Sequence, residues 1–320
     1  MMPHQRRLVG IDISKRKIDA CIHGEAERRT VPSTPAGEAE LIAWLRAHEV
    51  GEAVTEASGG YERRWAEALR RAGLVVRTVD PKRVRYFAKS AGRLAKNDPI
   101  DAAMIAWFGV TFPAANAGLT PEPARQKLDQ LVTARATLRE LETALTNREE
   151  HKQPALVTKA QAAIRKILRA QIKTLDKAIA AAIAEDPAMA RRAEIITSVP
   201  GLGPQAAAGL IAWLPELGQV DDKAIAALVG VAPYDDDSGE RRGQRHIRGG
   251  REKLRSLLYM PIVAASTQCN PVLKPYYQRL LAKGKDGKVP LIACMNKLMR
   301  ILNTMLARDE TWNPPTRAAA

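Results

Sequence analysis

Apolar residues in the first third of the 320-residue chain occur in short runs, separated by stretches in which they recur at helical spacing. Leu8–Ile13 is typical of a buried strand, and Lys17–His23 is typical of its neighbour after a short polar turn. A hairpin followed by strand–helix units predicts a mixed sheet with helices packed on it. The other predicted strands are Thr30–Ser33, Ala53–Glu56 and Leu74–Val79, and the predicted helices begin at Pro35, Glu62 and Asp98.

The middle of the chain has a different pattern, because leucines recur there at short intervals between charged residues. This series runs from Leu128 to Leu145, and a second apolar series runs from Ala160 to Ile183. Pro154 separates the two series, and a proline there interrupts a helix. We therefore predict two long amphipathic helices that form an antiparallel hairpin or a coiled coil with a partner chain.

The last third is helical again but is broken by loops. Ile195–Ala206 has the form of a helix, a tight hairpin with Gly201 and Gly203, and a second helix. Such a turn either presents backbone N–H groups to a phosphate or is a plain packing unit, and the pattern leaves both open. We predict three domains: an α/β domain at 1–118, a helical coiled-coil domain at 119–188 and a mainly α-helical domain at 189–320.

The chain is strongly basic, since 50 Lys and Arg residues stand against 35 Asp and Glu residues, for a net charge of +15. A surplus of this size favours nucleic acid as a partner, because each neutralised phosphate releases a counterion, although charge can also serve solubility alone. The low aromatic share of 4% argues against a single-strand binder built on stacking platforms. Contacts to the phosphate backbone fit this composition better.

The cysteines and the apolar runs indicate where the protein resides. Cys21, Cys269 and Cys294 are too scattered for a disulfide framework or a zinc ribbon. No run approaches the roughly 18 apolar residues of a transmembrane helix, and the first residues hold no signal-peptide core. We therefore expect a cytoplasmic protein without a membrane partner.

Four carboxylates stand out as candidate ligands. Asp12 lies inside an apolar strand, where a lone charge is costly to bury, and Glu56 ends another strand. Asp98 and Asp101 are one helical turn apart at a helix start, so both side chains can reach the same region. Carboxylates gathered in one place repel one another unless a divalent cation neutralises them. Oxygen ligands without nearby His or Cys favour magnesium, or manganese, over zinc.

Each carboxylate also has an ordinary explanation. Asp98 is a good helix cap, Asp101 fits a solvated first turn, and Glu56 fits an ion pair with a surface arginine. Gly10–Lys15 could also be the first phosphate loop of an actin-like sugar kinase, but the helical hairpin and the basic C-terminal region count against that reading.

Three segments nevertheless form a specific combination: Gly10–Lys15, Thr55–Tyr61 and Lys96–Ala102. They resemble the three motifs of the DEDD insertion-sequence transposases (insertion-sequence family 110), and their order resembles the RNase H-like core of RuvC resolvase. The resemblance implies a RuvC-like N-terminal domain in a bacterial protein. It also implies a magnesium-binding tetrad made of Asp12, Glu56, Asp98 and Asp101.

A second candidate site is the polar loop that contains Ser238. A serine hydroxyl is a poor nucleophile without help, and guanidinium groups suit the charged oxygens of a phosphoryl target. From the residues alone, a basic flexible loop with an incidental serine stays open, and Tyr234 is a competing nucleophile. The neighbouring arginines that we expect to contact nucleic acid are Arg241, Arg242, Arg245, Arg248 and Arg251.

The same loop resembles the C-terminal transposase domain of that family, through Val231–Pro233, Ser238-Gly239, Gly243 and Ile247–Arg251. The resemblance implies that Ser238 acts with the acidic tetrad to cut and rejoin DNA. It further implies donor and target DNA as partners, together with a structured bridge RNA that pairs with both. We expect a homodimer or tetramer, because exchange of strands at two sites needs more than one active centre.

Three functions remain for comparison. The first is a recombinase that joins strands through a transient phosphoserine. The second is a RuvC-like junction nuclease that uses the tetrad and water, for which Ser238 would be dispensable. The third is a non-catalytic nucleic-acid-binding protein, whose carboxylates would serve only as caps and ion pairs.

Overall fold

A computed structural model gives the architecture of the chain. Contacts divide the chain into two compact units, Met1–Thr120 and Pro121–Ala320. The second unit contains both the predicted central helices and the predicted C-terminal region. The structure describes residues 7–93, 98–113, 123–236, 243, 245–285 and 287–313, without the side chains of 98–100.

Five strands form the sheet of the first unit: β1 Arg7–Ile13, β2 Lys17–Ile22, β3 Arg28–Pro32, β4 Val50–Glu56 and β5 Val75–Val79. Their order is β3-β2-β1-β4-β5. The first three strands pair antiparallel, whereas β4 pairs parallel with both β1 and β5. The predicted mixed sheet is confirmed. β4 begins at Val50, three residues before the predicted strand. Glu52, a polar residue inside it, pairs with Arg77 of β5 at 2.5 Å.

Side chains of β1 alternate between the two faces of the sheet, as strand geometry requires. Val9 and Ile11 pack on one face with Leu45 and Trp65, from two helices that cover it. Leu8, on the other face, packs in a second cluster with residues of two further helices. The four helices are α1 Pro35–Ala47, α2 Tyr61–Arg71, α3 Pro81–Ser90 and α4 Asp98–Thr111.

Helix α3 was not predicted, since no element was assigned between β5 and Asp98. Its start carries a clear signal, because Asp80 is the N-cap and accepts a hydrogen bond from the Lys82 N–H at 2.8 Å. Its end is closed by Gly92, whose φ of +73° favours glycine, and by the Arg93 N–H, which donates to the Ala88 carbonyl at 2.8 Å. The helix is capped at both ends.

The central region folds as two long helices, α5 Pro123–Glu149 and α6 Ala155–Ala184, which pack against each other. Ion pairs connect the two helices, and the earlier the residue of α5, the later its partner, which lies in α6 or is Glu185, the residue that follows α6. The helices therefore run antiparallel. The helical hairpin is thus present within the chain, and a coiled coil with a partner stays a prediction. The pairs are Glu149–Arg165, Glu142–Arg169, Arg135–Asp176 and Lys127–Glu185.

The rest of the second unit is mainly helical, as predicted, around a core in which Leu210 and Met299 are fully buried. The described parts of the chain contain no helix with the length and apolar character to cross a membrane. The helices are α7 Pro187–Thr197, α8 Pro204–Trp213, α9 Asp222–Val229, α10 Glu252–Ala264, α11 Leu273–Ala282 and α12 Val289–Ala307. A π-helical turn, Ala265–Cys269, extends α10, and two short strands, β6 Pro233–Tyr234 and β7 His246–Ile247, form a second sheet.

Candidate functional site

The register of two parallel strands brings Asp12 and Glu56 to the same edge of the first sheet. Ile11 of β1 pairs with Thr55 of β4, so Asp12 and Glu56 are the next residues on each strand. Each lies at the carboxyl end of its strand, and each is half-buried. In open sheets of this kind, ligands bind at the carboxyl ends of parallel strands.

Helix α4 lies across β1 and runs antiparallel to it. A Cβ on Gly10 would lie 2.2 Å from the Ala102 carbonyl oxygen, so only glycine permits this approach. Further along the helix, Gly109 faces Leu8, which lies nearer the start of β1. The beginning of α4 therefore points toward the strand end that holds Asp12. Asp98 begins this helix, although its side chain lies outside the described part of the structure.

Glu56 and Asp101 line one pocket in the first unit, with a volume of about 430 Å³. Both carboxylates are half-buried, whereas Asp12 is not among the lining residues. Among the side chains that the structure describes, no three His, Cys, Asp or Glu groups are close enough to form a metal site. The structure thus brings two predicted ligands, Glu56 and Asp101, into one pocket and places Asp12 at the end of the neighbouring strand. The side chain of Asp98 lies outside the described residues.

A fifth carboxylate, Asp19, was missed by the sequence analysis. It lies opposite Asp12 in the β1–β2 pairing and is buried, with 6% of its surface exposed. Lys17 approaches it at 3.1 Å, and the Thr30 hydroxyl donates a hydrogen bond to it at 2.5 Å. These contacts compensate the negative charge of Asp19. Nothing in the sequence indicated that Asp19 lies beside Asp12, because only the pairing of β1 with β2 brings the two residues together.

The pocket also has a basic wall that the sequence analysis missed. It comes from α3 and the residue that closes it, because Lys82, Arg85, Lys89 and Arg93 all line the pocket. The available signal was Asp80-Pro81, an aspartate before a proline, which is the same dipeptide as the Asp98-Pro99 that marked the start of a predicted helix. A helix recognised there would have shown that Lys82, Arg85 and Lys89 share one face.

Glu62 holds the loop that follows Glu56. Its carboxylate accepts hydrogen bonds from the Ser58 N–H at 2.9 Å, the Ser58 hydroxyl at 3.1 Å and the Gly60 N–H at 2.8 Å. Burial raises the pKa of this carboxyl, but hydrogen bonds from its own N–H and from Ser58 and Gly60 outweigh burial and hold the pKa below its ordinary value. Glu62 therefore positions the turn beside Glu56 without belonging to the pocket.

Replacing Glu62 with Gln should destabilise the protein at neutral pH and have no effect in acid. A carboxyl with a lowered folded pKa stabilises above its unfolded pKa, about 4.3, and the contribution disappears as pH falls through the folded value. We expect a loss of about 1 kcal/mol at pH 7, because the site is partly exposed to solvent. Urea unfolding of wild type and Glu62→Gln at pH 7 and pH 3 measures this, with exposed Glu67→Gln as control. An equal difference at both pH values would contradict the assignment.

The segment with Ser238 connects β6 to β7 in the second unit. Ser238, Arg241 and Arg242 lie outside the described residues. The base of the segment is tightly packed, because a Cβ on Gly250 would lie 2.2 Å from the Gly230 nitrogen. The Arg255 guanidinium secures this base by donating to the Val229 and Gly249 carbonyls at 3.1 and 2.6 Å.

The other predicted nucleic-acid-binding arginines differ in their surroundings. Arg245 pairs with Asp235 at 2.5 Å, and Arg248 lies 3.9 Å from Asp236, with both arginines mostly exposed. Arg251 instead binds Glu216 through both terminal nitrogens, at 2.7 and 2.6 Å. Burial raises the pKa of that carboxyl, yet the hydrogen bonds and charge of Arg251 lower it overall. Arg251 thus has a structural partner, and its contact with nucleic acid stays a prediction.

The two glycines of the helical hairpin also differ. Gly201 has a φ of +99°, and a Cβ there would lie 2.6 Å from the Ala265 Cβ, so packing alone explains this glycine. Gly203 is the N-cap of α8, and a Cβ there would meet open space. The contact of either residue with a phosphate stays a prediction.

Two family models match this chain over most of its length. A transposase model of the DEDD type from the IS110 group matches residues 9–152, which include the strand ends and the pocket just described. A second model, described as the IS116/IS110/IS902 family of transposases, matches residues 193–278. The chain belongs to the IS110 family of transposases. The resemblance found in its sequence motifs is confirmed.

Several individual proteins are similar to this transposase. The pilin gene-inverting proteins of Moraxella lacunata and Moraxella bovis are each 27% identical to it over 319 residues, which cover 95% of this chain and 97% of the relative. An uncharacterized 44.8 kDa protein of insertion element IS116 from Streptomyces clavuligerus is 33% identical over 126 residues, or 31% of its length. The family and these relatives support action on DNA as a transposase or recombinase.

Proposed function

We propose that this transposase cuts and rejoins DNA by metal-assisted transesterification. The observation that carries the proposal is that Glu56 and Asp101 line the same pocket, of about 430 Å³, as basic side chains of α3. Carboxylates suit a divalent cation, and the cationic wall suits the phosphate on which that cation acts.

The four predicted carboxylates would hold magnesium, or manganese in its place. Oxygen donors of this kind suit hard cations, and two of them, Glu56 and Asp101, line the pocket. When bound, the cation would neutralise the carboxylates and stabilise charge on the scissile phosphate. The chain itself supplies the geometry: Glu56 from the end of β4, Asp12 from β1, and Asp98 and Asp101 from the first turn of α4.

Ser238 would supply the nucleophile. Its Oγ–P bond would form as the bond from phosphorus to the leaving strand oxygen breaks; the serine proton would pass to water, and the leaving oxygen would take up a proton. A strand hydroxyl would then attack the same phosphorus and release the serine. One phosphodiester is exchanged for another, so the reaction needs no external energy source. Arginines of the same loop would stabilise the charged oxygens.

Donor and target DNA are the proposed substrates, and a structured bridge RNA that pairs with both is the proposed guide. Family membership and the net charge of +15 support nucleic-acid partners. The N-terminal sheet is proposed to be RNase H-like, of the RuvC type. Its support is the strand order β3-β2-β1-β4-β5, with carboxylates at the carboxyl ends of the central pair.

Metal removal tests the proposed chemistry directly. Purified protein is mixed with RNA transcribed from the DNA that flanks its gene, and with plasmids that carry that flanking DNA and a target. We expect recombination in magnesium, its loss on addition of EDTA, and its return when magnesium is restored in excess. Recombination that continues at the same rate in EDTA would contradict a metal-assisted mechanism.

We also propose that the helical hairpin mediates assembly into a homodimer or tetramer. Several large apolar side chains that were predicted to face a helical partner are exposed, among them Ile164 and Ile167, at 49% and 62%. Leu141 and Leu156 are likewise exposed, at 51% and 80%. Ile164 and Ile167 are one turn apart on α6, and exposed large apolar side chains on one side of a long helix suit a helical partner.

Adding charge to this apolar surface should break self-association. Ile164→Glu/Ile167→Glu is expected to shift the protein–nucleic acid complex to a monomer in light scattering, because burying two carboxylates in a helical interface is costly. The matched control, Ala162→Glu/Ala180→Glu, adds the same charges at exposed positions on another side of α6. A wild-type complex that is strictly monomeric would contradict the proposal, as would a dimer unaffected by the isoleucine changes.

A further inference from the structure

One face of α3 carries a continuous stripe of basic residues. At about 100° per residue, Lys82, Arg85, Tyr86 and Lys89 fall within about 100° of the helix circumference. The opposite side of the helix bears Val84 and Ala88, which are buried in the core. The stripe therefore lies on the outward face, and its residues line the pocket that contains Glu56 and Asp101, together with Val84 and Ala88.

The cap at the end of α3 extends this stripe. Gly92 adopts a positive φ, and the hydrogen bond from the Arg93 N–H to the Ala88 carbonyl turns the chain back at this point. Arg93 thereby becomes another lining residue of the same pocket. The helical part alone, from Lys82 to Lys89, spans about 10 Å at 1.5 Å per residue. This length corresponds to about three base steps of one DNA strand at 3.4 Å each.

An aromatic ring lies within the stripe. Tyr86 is 68% exposed and is a lining residue of the pocket, with basic side chains on either side along the helix. A tyrosine with so much surface in water contributes little to the core. A ring beside cations is the combination with which proteins hold a strand, since the cations bind phosphates and the ring stacks on a base.

We propose that this face of α3, formed by Lys82, Arg85, Tyr86 and Lys89, together with Arg93 beyond the end of the helix, binds the DNA strand that is cut, next to the scissile phosphate. The inference rests on the proposed function of the carboxylates and names the surface that delivers their substrate. The arrangement of charges suits a nucleic-acid strand as the ligand. The carboxylates of the pocket lie at one place, where a metal ion would act on one phosphate, and the row of cations beside them would face the neighbouring phosphates. The cations bind the flanking phosphates, and Tyr86 stacks on an unpaired base.

The binding test uses the full chain and a mixed-sequence single-stranded DNA of 30 nucleotides, in EDTA so that no cutting occurs. Each phosphate contact to a single strand contributes about 0.7 to the slope of log K against log salt. Lys82→Gln/Lys89→Gln should therefore reduce the slope by about 1.4. The matched control, Arg46→Gln/Arg71→Gln, removes two exposed cations from α1 and α2, on the other face of the sheet, and should leave the slope unchanged.

Tyr86 provides an independent test of the strand's position. Tyr86→Ala should weaken binding about 10-fold, whereas Tyr86→Phe should bind as wild type, because stacking needs the ring and not the hydroxyl. Single-stranded DNA with 5-iododeoxyuridine should cross-link on irradiation to the peptide that contains Tyr86. Equal slopes for the lysine variant and its control would overturn the proposal, as would losses confined to RNA of the same sequence.

Failure of this inference and failure of the proposed chemistry give different results. Glu56→Gln/Asp101→Asn should bind single-stranded DNA at least as tightly as wild type in EDTA, because it removes negative charge from the pocket. If that variant still recombines DNA, the carboxylate chemistry is wrong, whatever α3 binds. If wild type recombines normally but the lysine and tyrosine variants bind DNA like their controls, only the α3 surface is wrong.

Discussion

Glu56→Gln and Asp101→Asn should each abolish recombination and leave the protein folded. Each change removes one charge from the pocket without changing the size of the side chain, so a divalent cation would lose a ligand and the phosphate its orientation. We expect recombination to fall at least about 10²–10³-fold, the cost of losing one strong electrostatic contact to a transition state. Asp12→Asn and Asp98→Asn should have the same effect, because they complete the proposed tetrad.

The measurement is the yield of joined product in the plasmid assay, together with the thermal unfolding of each variant. Glu67→Gln is the matched control, because it removes the charge of an exposed acid on α2. Its recombination should equal that of wild type. Wild-type rates in both Asp98→Asn and Asp101→Asn would show that the tetrad assignment is wrong.

Ser238 should become covalently joined to DNA during the reaction. Recombination without an energy source must conserve the phosphodiester, and a serine–DNA ester does so where hydrolysis would not. A suicide substrate that lets the cut strand diffuse away should trap this ester, and mass spectrometry of the digested complex should locate it. Ser238→Ala should yield no adduct and no recombination, although it should still bind DNA.

Tyr234 is the competing candidate for the nucleophile. It ends β6 and is 45% exposed, so its phenol is accessible. Tyr234→Phe keeps the ring and removes the hydroxyl, and we expect it to form the adduct as wild type does. An adduct on Tyr234 would show that tyrosine is the nucleophile. Efficient cutting by Ser238→Ala without any adduct would show that water is the nucleophile, as in the nuclease alternative.

Local patterns were sufficient for most elements of the fold. The alternating runs of β1 and β2 and the long apolar series of α5 and α6 were recognised because each records burial on one side of a regular element. Helix α3 was overlooked because its buried face is small, with Val84 and Ala88 its only fully buried residues. Basic residues occupy much of the rest, so the apolar signal was weak, although Asp80-Pro81 marked its start.

The sequence by itself determined the family, since its motifs are those of the transposase group, and it supplied the proposed chemistry, four carboxylates and a serine, without any knowledge of distances. Only the tertiary structure decided which of these groups lie close together. The register of β1 and β4 places Asp12 beside Glu56, and Gly10, which has no side chain, lets α4 pack close to the sheet. The structure also decided that Arg251 belongs to Glu216 and that the cations of α3 face the Glu56 pocket. Strand pairing and helix packing join residues far apart in the chain, and no local pattern of side chains records those contacts.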